Sequence, residues 1–126
     1  AGLTAAYLHH SFREDPTFWG IKSLLTIHNL GYQGEFGAEV LADTGLDAGL
    51  FRADLLAHHG RVNFLKAGLV FSNALNTVSP TYAREIQTPE YGFGLDGLLR
   101  ARAGSLFGIL NGVDYRIWDP ATDHHL

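Results

Sequence analysis

The segment LLTIHNLGYQG, residues 24–34, restricts the fold more than any other part of the sequence. A short run of Leu, Thr and Ile bounded by glycine is typical of a strand buried on both faces, and such strands belong to parallel sheets covered by helices. Ligands bind to these sheets beyond the carboxyl ends of the strands. The polar residues that follow the run, His28 and Asn29, are therefore predicted to lie at the ligand-binding edge of a parallel sheet.

Strand and helix patterns alternate along the chain. We predict helices over residues 1–8, 61–73, 80–87 and 95–104, and strands over residues 23–27, 74–79 and 105–110. Ser79 and Pro80 mark a helix start, because serine accepts a bond from an early backbone N–H and proline suits the first helical position. Gly104 is expected to cap the last helix. Residues 31–60 carry six glycines and are predicted to form one long irregular stretch. The order predicts an α/β domain.

Composition excludes several classes of function. The 126 residues, 46% of them hydrophobic, suit one domain with a buried core. A net charge of -4 with scattered Lys and Arg argues against binding to nucleic acid or an anionic membrane. The absence of cysteine excludes disulfides and thiolate zinc sites. With no apolar run long enough to span a membrane, a soluble cytoplasmic protein is the default expectation.

The run GFGLDG, residues 92–97, matches the G-x-G-x-x-G pattern of dinucleotide-binding folds. That pattern requires a strand directly before it, so that N–H groups at a helix start face a pyrophosphate. Here the preceding letters, REIQTPEY, predict the end of a helix and a proline-containing turn. We therefore favour a turn that leads into a helix with Asp96 in its first turn over a dinucleotide site.

The histidines and possible nucleophiles of the sequence do not form a known catalytic or metal-binding pattern. Histidines occur in adjacent pairs at positions 9–10, 58–59 and 124–125, but neighbouring side chains point in different directions and do not easily hold one ion. The sequence lacks the zinc-binding pattern of an acidic residue with histidines at i and i+4 on a helix. It also lacks the G-x-S-x-G turn that presents a serine nucleophile. We predict solvated or capping histidines, no metal site and no hydrolase nucleophile.

Two strand ends, IHNLGYQG and LNGVD, carry polar residues next to glycine. In a parallel sheet both would open onto one edge, where His, Asn and Gln side chains suit sugar hydroxyls. The alternative is that Asn-Gly forms an ordinary turn and that Val113, Tyr115 and Ile117 alternate along the return strand of a hairpin. The residues alone leave both interpretations open.

Four segments carry a family resemblance: TIHNLGYQGEF, VNFLKAGLVFSNALNTVSPTYAREI, YGFGLDGLL and GILNGVDYRIWDPATD. Together they resemble the bacterial glycogen synthases and plant starch synthases, hexosyltransferases that transfer glucose from ADP-glucose to an α-1,4-glucan. The resemblance implies a GT-B fold of two Rossmann-like domains, retaining stereochemistry, and no need for a metal ion or other cofactor. It implies a cytoplasmic enzyme, or a plastid enzyme if the source is a plant.

The resemblance also assigns roles to individual residues. His28 matches the active-site histidine of the family, which holds the donor glucose near its reacting carbon. Asn29, Tyr32 and Gln33 match the adjoining loop and are expected to bind substrate. Asn111 and Gly112 match a second strand-end loop that faces the same cleft.

The family pattern extends beyond this chain at both ends. Residues 1–126 are expected to be part of the N-terminal catalytic domain, and the C-terminal nucleotide-sugar domain is absent from the sequence. Lys66 and Arg61, the positive residues near the motifs, are predicted to lie on the solvated edge of a helix. The fragment is therefore predicted to be inactive alone. Two alternatives remain: a GT-B transferase with another sugar donor, and a non-catalytic glucan-binding remnant.

Overall fold

The computed structural model describes residues 2–123, which form two three-stranded sheets with short helices around them. The helices are α1 Thr4–His9, α2 Val40–Thr44, α3 Phe64–Phe71, α4 Pro80–Glu85 and α5 Asp96–Ala101. The strands are β1 Leu24–Ile27, β2 Glu35–Phe36, β3 Ala57–His58, β4 Arg61–Asn63, β5 Ala74–Thr77 and β6 Leu106–Gly108. Short 3-10 turns occupy Pro16–Phe18, Ala48–Leu50 and Ala103–Ser105. Within this described part of the chain, no helix is long and apolar enough to cross a membrane.

The larger sheet is parallel, with strand order β1-β5-β6. Ile27 is in register with Thr77, and Thr77 with Gly108, so the three strands end at the same level. Helices α3, α4 and α5 connect these strands, as parallel pairing requires. The predicted Rossmann-like α/β fold, a parallel sheet flanked by helices, is confirmed.

Two apolar clusters hold the chain together. One joins the parallel sheet to its helices and comprises Ile27, Leu30, Leu69, Leu75, Ala83, Ile86, Leu95, Leu99 and Leu106. The other lies around α1, α2 and the start of α3 and comprises Ala6, Leu41, Leu46, Leu50, Leu56, Val62 and Ala67. The second cluster lets α1 pack on α3, where Gly68 brings the helix against the backbone of Gly2.

The smaller sheet corrects the prediction of one irregular stretch over residues 31–60. It is antiparallel, with strand order β2-β4-β3, and helix α2 lies between its first two strands along the chain. β3 and β4 are joined by His59 and Gly60, whose φ angles are 49° and 75°. Positive φ at both central residues is the geometry of a type I′ hairpin turn. The usual sequence signal for such a turn is Asn-Gly or Asp-Gly. The pair His59-Gly60 therefore did not predict a hairpin turn.

Helix α3 begins later than predicted. Residues 61–63 form β4, and the Asn63 side chain then caps the helix by accepting a bond from the Lys66 N–H at 2.8 Å. The prediction of a solvated Lys66 is wrong, because only 8% of the residue is exposed. Its ammonium group donates to the carbonyl oxygens of Ala53 and Ala57, and burial lowers its pKa. Lys66 therefore stabilises the segment that leads into β3 through these two hydrogen bonds.

The other predicted boundaries differ less. Ser79 caps α4 as predicted, accepting a bond from the Tyr82 N–H at 2.9 Å. Helix α5 ends at Ala101, before Gly104, which lies in a 3-10 turn and does not cap the helix. The guanidinium group of Arg102 instead donates to backbone carbonyls at the end of α3, including Leu69 at 2.6 Å. The described residues after β6 contain turns and no strand, so the predicted hairpin alternative is wrong.

Gly108→Ala is expected to destabilise the fold by at least about 2 kcal/mol, because a Cβ at this position would overlap backbone atoms of Ser79 and Pro80. The free energy of unfolding from urea titration measures the change. Gly104→Ala is the matched control, since nothing lies within 4 Å of its added Cβ, and it should shift that free energy by less than about 0.5 kcal/mol. Equal stabilities for the two variants would contradict the close packing of β6 against α4.

Candidate active site

His28 lies directly after β1, at the carboxyl edge of the parallel sheet, and is exposed. The backbone on either side of it is fixed by buried residues. The Thr77 hydroxyl donates to the Ile27 carbonyl at 2.7 Å, and the Leu30 N–H donates to the Tyr82 hydroxyl at 3.0 Å. The predicted location at a strand end is confirmed, and the histidine is presented to solvent from a rigid support.

Asn29 and Tyr32 form the tight turn that follows His28. The Asn29 side-chain oxygen accepts a bond from the Gly31 N–H at 2.9 Å, which is an Asx turn. The Tyr32 N–H donates to the Asn29 carbonyl at 3.3 Å, and the Tyr32 residue is 82% exposed. The loop therefore presents one large aromatic ring to solvent, close along the chain to His28.

An open cleft of about 790 Å³ begins at this loop. Its lining residues are Gly31, Tyr32, Gln33, Gly34, Glu35, His58, His59, Phe93 and Gly94. One wall is the segment 31–35, the floor includes the end of β3, and the opposite wall is the turn at residues 93–94. Exposed aromatic rings beside amide, imidazole and carboxylate groups suit a ligand with both apolar faces and hydroxyls, such as a sugar.

A hydrogen-bond network lies beneath the cleft. Asn63, which is fully buried, donates to the Gln33 side-chain oxygen at 2.6 Å and to Glu35 Oε1 at 3.1 Å. Glu35 Oε1 also lies 2.9 Å from His58 Nδ1. Gln33 Nε2 donates to the Phe93 carbonyl at 3.1 Å, and His58 Nε2 lies 3.3 Å from the Gly94 carbonyl. These contacts join β2, β3 and β4 to the turn before α5.

The electrostatics of this network favour an ionised Glu35. The hydrogen bond from His58 has the largest effect and lowers the pKa of the Glu35 carboxyl. Burial, the next largest, raises that pKa, and the bond from Asn63 and the charge of Arg61 lower it again, so the net shift is downward. Because the folded-state pKa lies below that of the unfolded chain, the contact stabilises the fold above the unfolded-state pKa. That stabilisation is lost as the pH falls through the folded-state pKa.

Backbone strain is concentrated at the same cleft. Among the described residues, His59 and Phe93 are the non-glycine residues with positive φ, at 49° and 48°. Both line the cleft. Such conformations cost free energy and persist where the surrounding structure enforces them, often at functional sites.

Asn111 and Gly112 follow β6 and are exposed. They leave the parallel sheet at the same edge as His28, because Ile27, Thr77 and Gly108 end their strands at one level. Gly112 lines a separate hollow together with Val113, Asp114 and Trp118. The structure thus brings Tyr32 and Gln33 into the first cleft, and it places Asn111 and Gly112 farther along the edge.

The structure explains the GFGLDG run and the described histidine pairs, for which the sequence predicted no ligand site. The GFGLDG run follows a turn and the short helix α4, with no strand directly before it, and Asp96 begins α5 and pairs with Arg100 at 2.8 Å. His9 and His10 are exposed, as predicted for solvated histidines. The prediction is wrong for His58, which is hydrogen-bonded and half-buried. The pair at positions 124–125 lies outside the described residues.

Sequence reasoning missed part of the cleft. The missed residues are Glu35, His58, His59, Asn63, Phe93 and Gly94. Glycines at positions 34, 60 and 94, all with positive φ, were the available signal for tight turns. They did not show which turns meet, because the contacts between residues 33 and 93 and between 58 and 94 span large sequence separations.

Comparisons with known proteins identify the family of this chain. Residues 1–101 match the family model of the starch synthase catalytic domain. The chain is 59% identical to the glycogen synthase of Myxococcus xanthus (strain DK1622), over 99% of this chain and 26% of that protein. It is 52% identical to the glycogen synthase of Thermotoga maritima, over 98% of this chain and 26% of that protein.

A solved structure matches as well. The catalytic domain of Starch Synthase IV from Arabidopsis thaliana, bound to ADP and acarbose, superposes with a TM-score of 0.75 at 38% identity, covering 99% of this chain and 27% of that one. The chain thus spans about a quarter of the length of the proteins it matches. It belongs to the starch synthase catalytic domain family.

Proposed function

We propose that this chain is part of a retaining glycosyltransferase that transfers glucose from ADP-glucose to the non-reducing end of an α-1,4-glucan, in glycogen or starch synthesis. Family membership supports the reaction, and the relatives named above are glycogen synthases. The related starch synthase structure holds ADP and acarbose, which supports a nucleotide-sugar donor and a glucan acceptor. We place the reaction in the cytoplasm, in keeping with the bacterial relatives.

The observation that carries the proposal is the position of His28. It stands exposed at the carboxyl end of β1, with the backbone before and after it fixed by Thr77 and Tyr82. We assign it the role of holding the donor glucose near the reacting carbon. A rigidly supported side chain suits this role, because positioning contributes to catalysis only when the geometry is held before the substrate arrives.

The remaining roles follow the arrangement of the edge. We assign Asn29 and Tyr32 to the acceptor side of the site, since the turn presents the Tyr32 ring to solvent. Gln33 uses both ends of its amide within the network, so we assign it to shaping the loop. Asn111 and Gly112 are assigned to substrate binding farther along the same edge of the sheet, where Gly112 lines the separate hollow.

The leaving diphosphate requires positive charge, and the lining of the described cleft includes Glu35 but no lysine or arginine. Residues 1–126 therefore form, in our proposal, part of the N-terminal domain of a two-domain GT-B enzyme. The C-terminal domain would supply the cationic groups and most nucleotide contacts. The exposed apolar side chains after β6, among them Leu110 and Trp118, are consistent with a surface covered in a larger protein.

The test is glucose transfer by the full-length protein. Purified enzyme is incubated with glycogen and radiolabelled ADP-glucose, and in parallel with labelled UDP-glucose. We expect incorporation into glycogen that is faster from ADP-glucose. Faster incorporation from UDP-glucose would indicate another donor, and glycogen binding without incorporation from either donor would indicate a non-catalytic glucan-binding protein.

A further inference from the structure

His58 lies where the two walls of the cleft meet. Its side chain is 11% exposed, and its ring nitrogens face opposite walls. Nδ1 lies 2.9 Å from Glu35 Oε1 on the 31–35 segment, and Nε2 lies 3.3 Å from the Gly94 carbonyl on the opposite turn. With the bond from Gln33 to the Phe93 carbonyl, this contact joins the two walls directly.

The partners of His58 determine which protonation state fits. The Gly94 carbonyl accepts hydrogen bonds and cannot donate them, and the same holds for an ionised Glu35. Both ring nitrogens can donate at once only in the doubly protonated imidazolium. A neutral ring keeps one of the two bonds, and a bare Nδ1 would face the carboxylate, with Asn63 Nδ2 at 3.4 Å as its donor.

The charged groups around His58 come from each neighbouring strand and turn. Glu35 on β2 is the carboxylate in contact, and its lowered pKa keeps it ionised. Arg61 on β4 donates to the Glu35 backbone carbonyl at 3.2 Å and is exposed. The His59 ring lies 4.2 Å from the His58 ring, centroid to centroid. The direct hydrogen bond to Glu35 is the closest of these interactions.

The opposite wall is built to receive this contact. Gly94 has a φ of 79°, and a Cβ at this position would lie 3.0 Å from His58 Nε2. The turn therefore approaches the histidine closely only because residue 94 is glycine. The neighbouring Phe93 also has a positive φ. It is 59% exposed and presents its ring to the cleft.

We propose that His58 is a positioning residue that holds the Phe93 wall against the Tyr32 and Gln33 wall and so shapes a subsite for the glucan acceptor. The proposal rests on the function proposed above and adds a residue to it. Without the imidazole both contacts are lost and the subsite loosens. Binding of the glucan chain should then weaken.

The first test measures KM and kcat for maltoheptaose in the full-length enzyme. His58→Gln should raise KM about fivefold, as expected for one lost hydrogen bond, with a smaller change in kcat. His10→Gln, at an exposed histidine outside the cleft lining, should leave both unchanged.

A second variant removes the carboxylate and keeps the histidine. Glu35→Ala should raise KM about as much as His58→Gln does, because His58 Nδ1 then lacks its acceptor on the 31–35 wall. This readout applies even if His58→Gln unfolds, and a merely structural His58 would not produce it. Calorimetric titration with maltoheptaose measures acceptor binding independently of glucose transfer.

The outcomes separate the two proposals. If the enzyme transfers no glucose yet binds maltoheptaose, and His58→Gln weakens that binding, the proposed function fails and the role of His58 stands. If it transfers glucose and His58→Gln keeps the parent KM, the role of His58 is overturned.

Discussion

Replacing His28 with alanine in the full-length protein is expected to lower kcat for glucose transfer from ADP-glucose about 10²- to 10³-fold, a typical loss when one group that stabilises or positions the reacting centre is removed. The fold should change little. His28 is exposed at the strand end, and within the described chain it makes no hydrogen bond or ion pair. Its removal leaves no buried group unsatisfied.

Initial rates with saturating ADP-glucose and glycogen give kcat, and thermal unfolding monitored by circular dichroism gives the melting temperature. His10→Ala, at another exposed histidine, is the matched control and should retain both values. A His28→Ala protein with a kcat close to that of the parent would refute the catalytic assignment. A parallel loss of kcat and melting temperature would instead indicate a structural histidine.

The parallel sheet could be predicted because its signal is local. Each of its strands is a short apolar run, and burial of Ile27 and Leu75 against the helices requires that composition. The prediction that the first strand is buried on both faces is wrong, because alternate residues of β1 are exposed. The start of α4 could also be predicted, because Ser79 and Pro80 provide a cap that depends only on neighbouring residues. Such local features specify the framework of the fold and the position of His28 at its edge.

The smaller sheet was missed because its strands are two or three residues long and have no clear alternation. Its hairpin depends on a positive φ at His59, a conformation that is uncommon for residues other than glycine, although histidine adopts it more often than most. Lys66 was misjudged for a related reason. Its helical position predicted a solvated edge, but the carbonyls of Ala53 and Ala57, which come from a separate segment, provide buried acceptors for its ammonium group.

Part of the candidate site could likewise be predicted from the sequence, and part of it could not. The strand-end residues could be predicted from the pattern, whereas the far wall of the cleft depends on contacts such as Gln33 with Phe93, sixty positions apart. The family resemblance supplied expected roles for residues in the loop after β1. It did not identify the Glu35 and His58 pair, which is visible only when β2 and β3 are seen on the two edges of β4.

The 126-residue chain alone is expected to transfer no glucose from ADP-glucose to glycogen, while the full-length protein does. Catalysis requires donor and acceptor to be fixed together, and in our proposal the C-terminal domain forms the other wall of the active-site cleft. The lining of the described cleft holds no lysine or arginine for the diphosphate, and two positive groups are already committed: Lys66 to backbone carbonyls, and Arg102 to the end of α3.

The measurement is incorporation of label from ADP-glucose into glycogen by the purified chain, repeated after addition of the separately expressed remainder of the protein. Circular dichroism on the same sample establishes that the chain is folded, so that inactivity is not mistaken for unfolding. Incorporation that appears only after the addition would support a reaction shared between two domains. Incorporation by the folded chain alone would overturn this division, because His28 and the cleft beside it would then suffice for a chemistry that we assign to both domains.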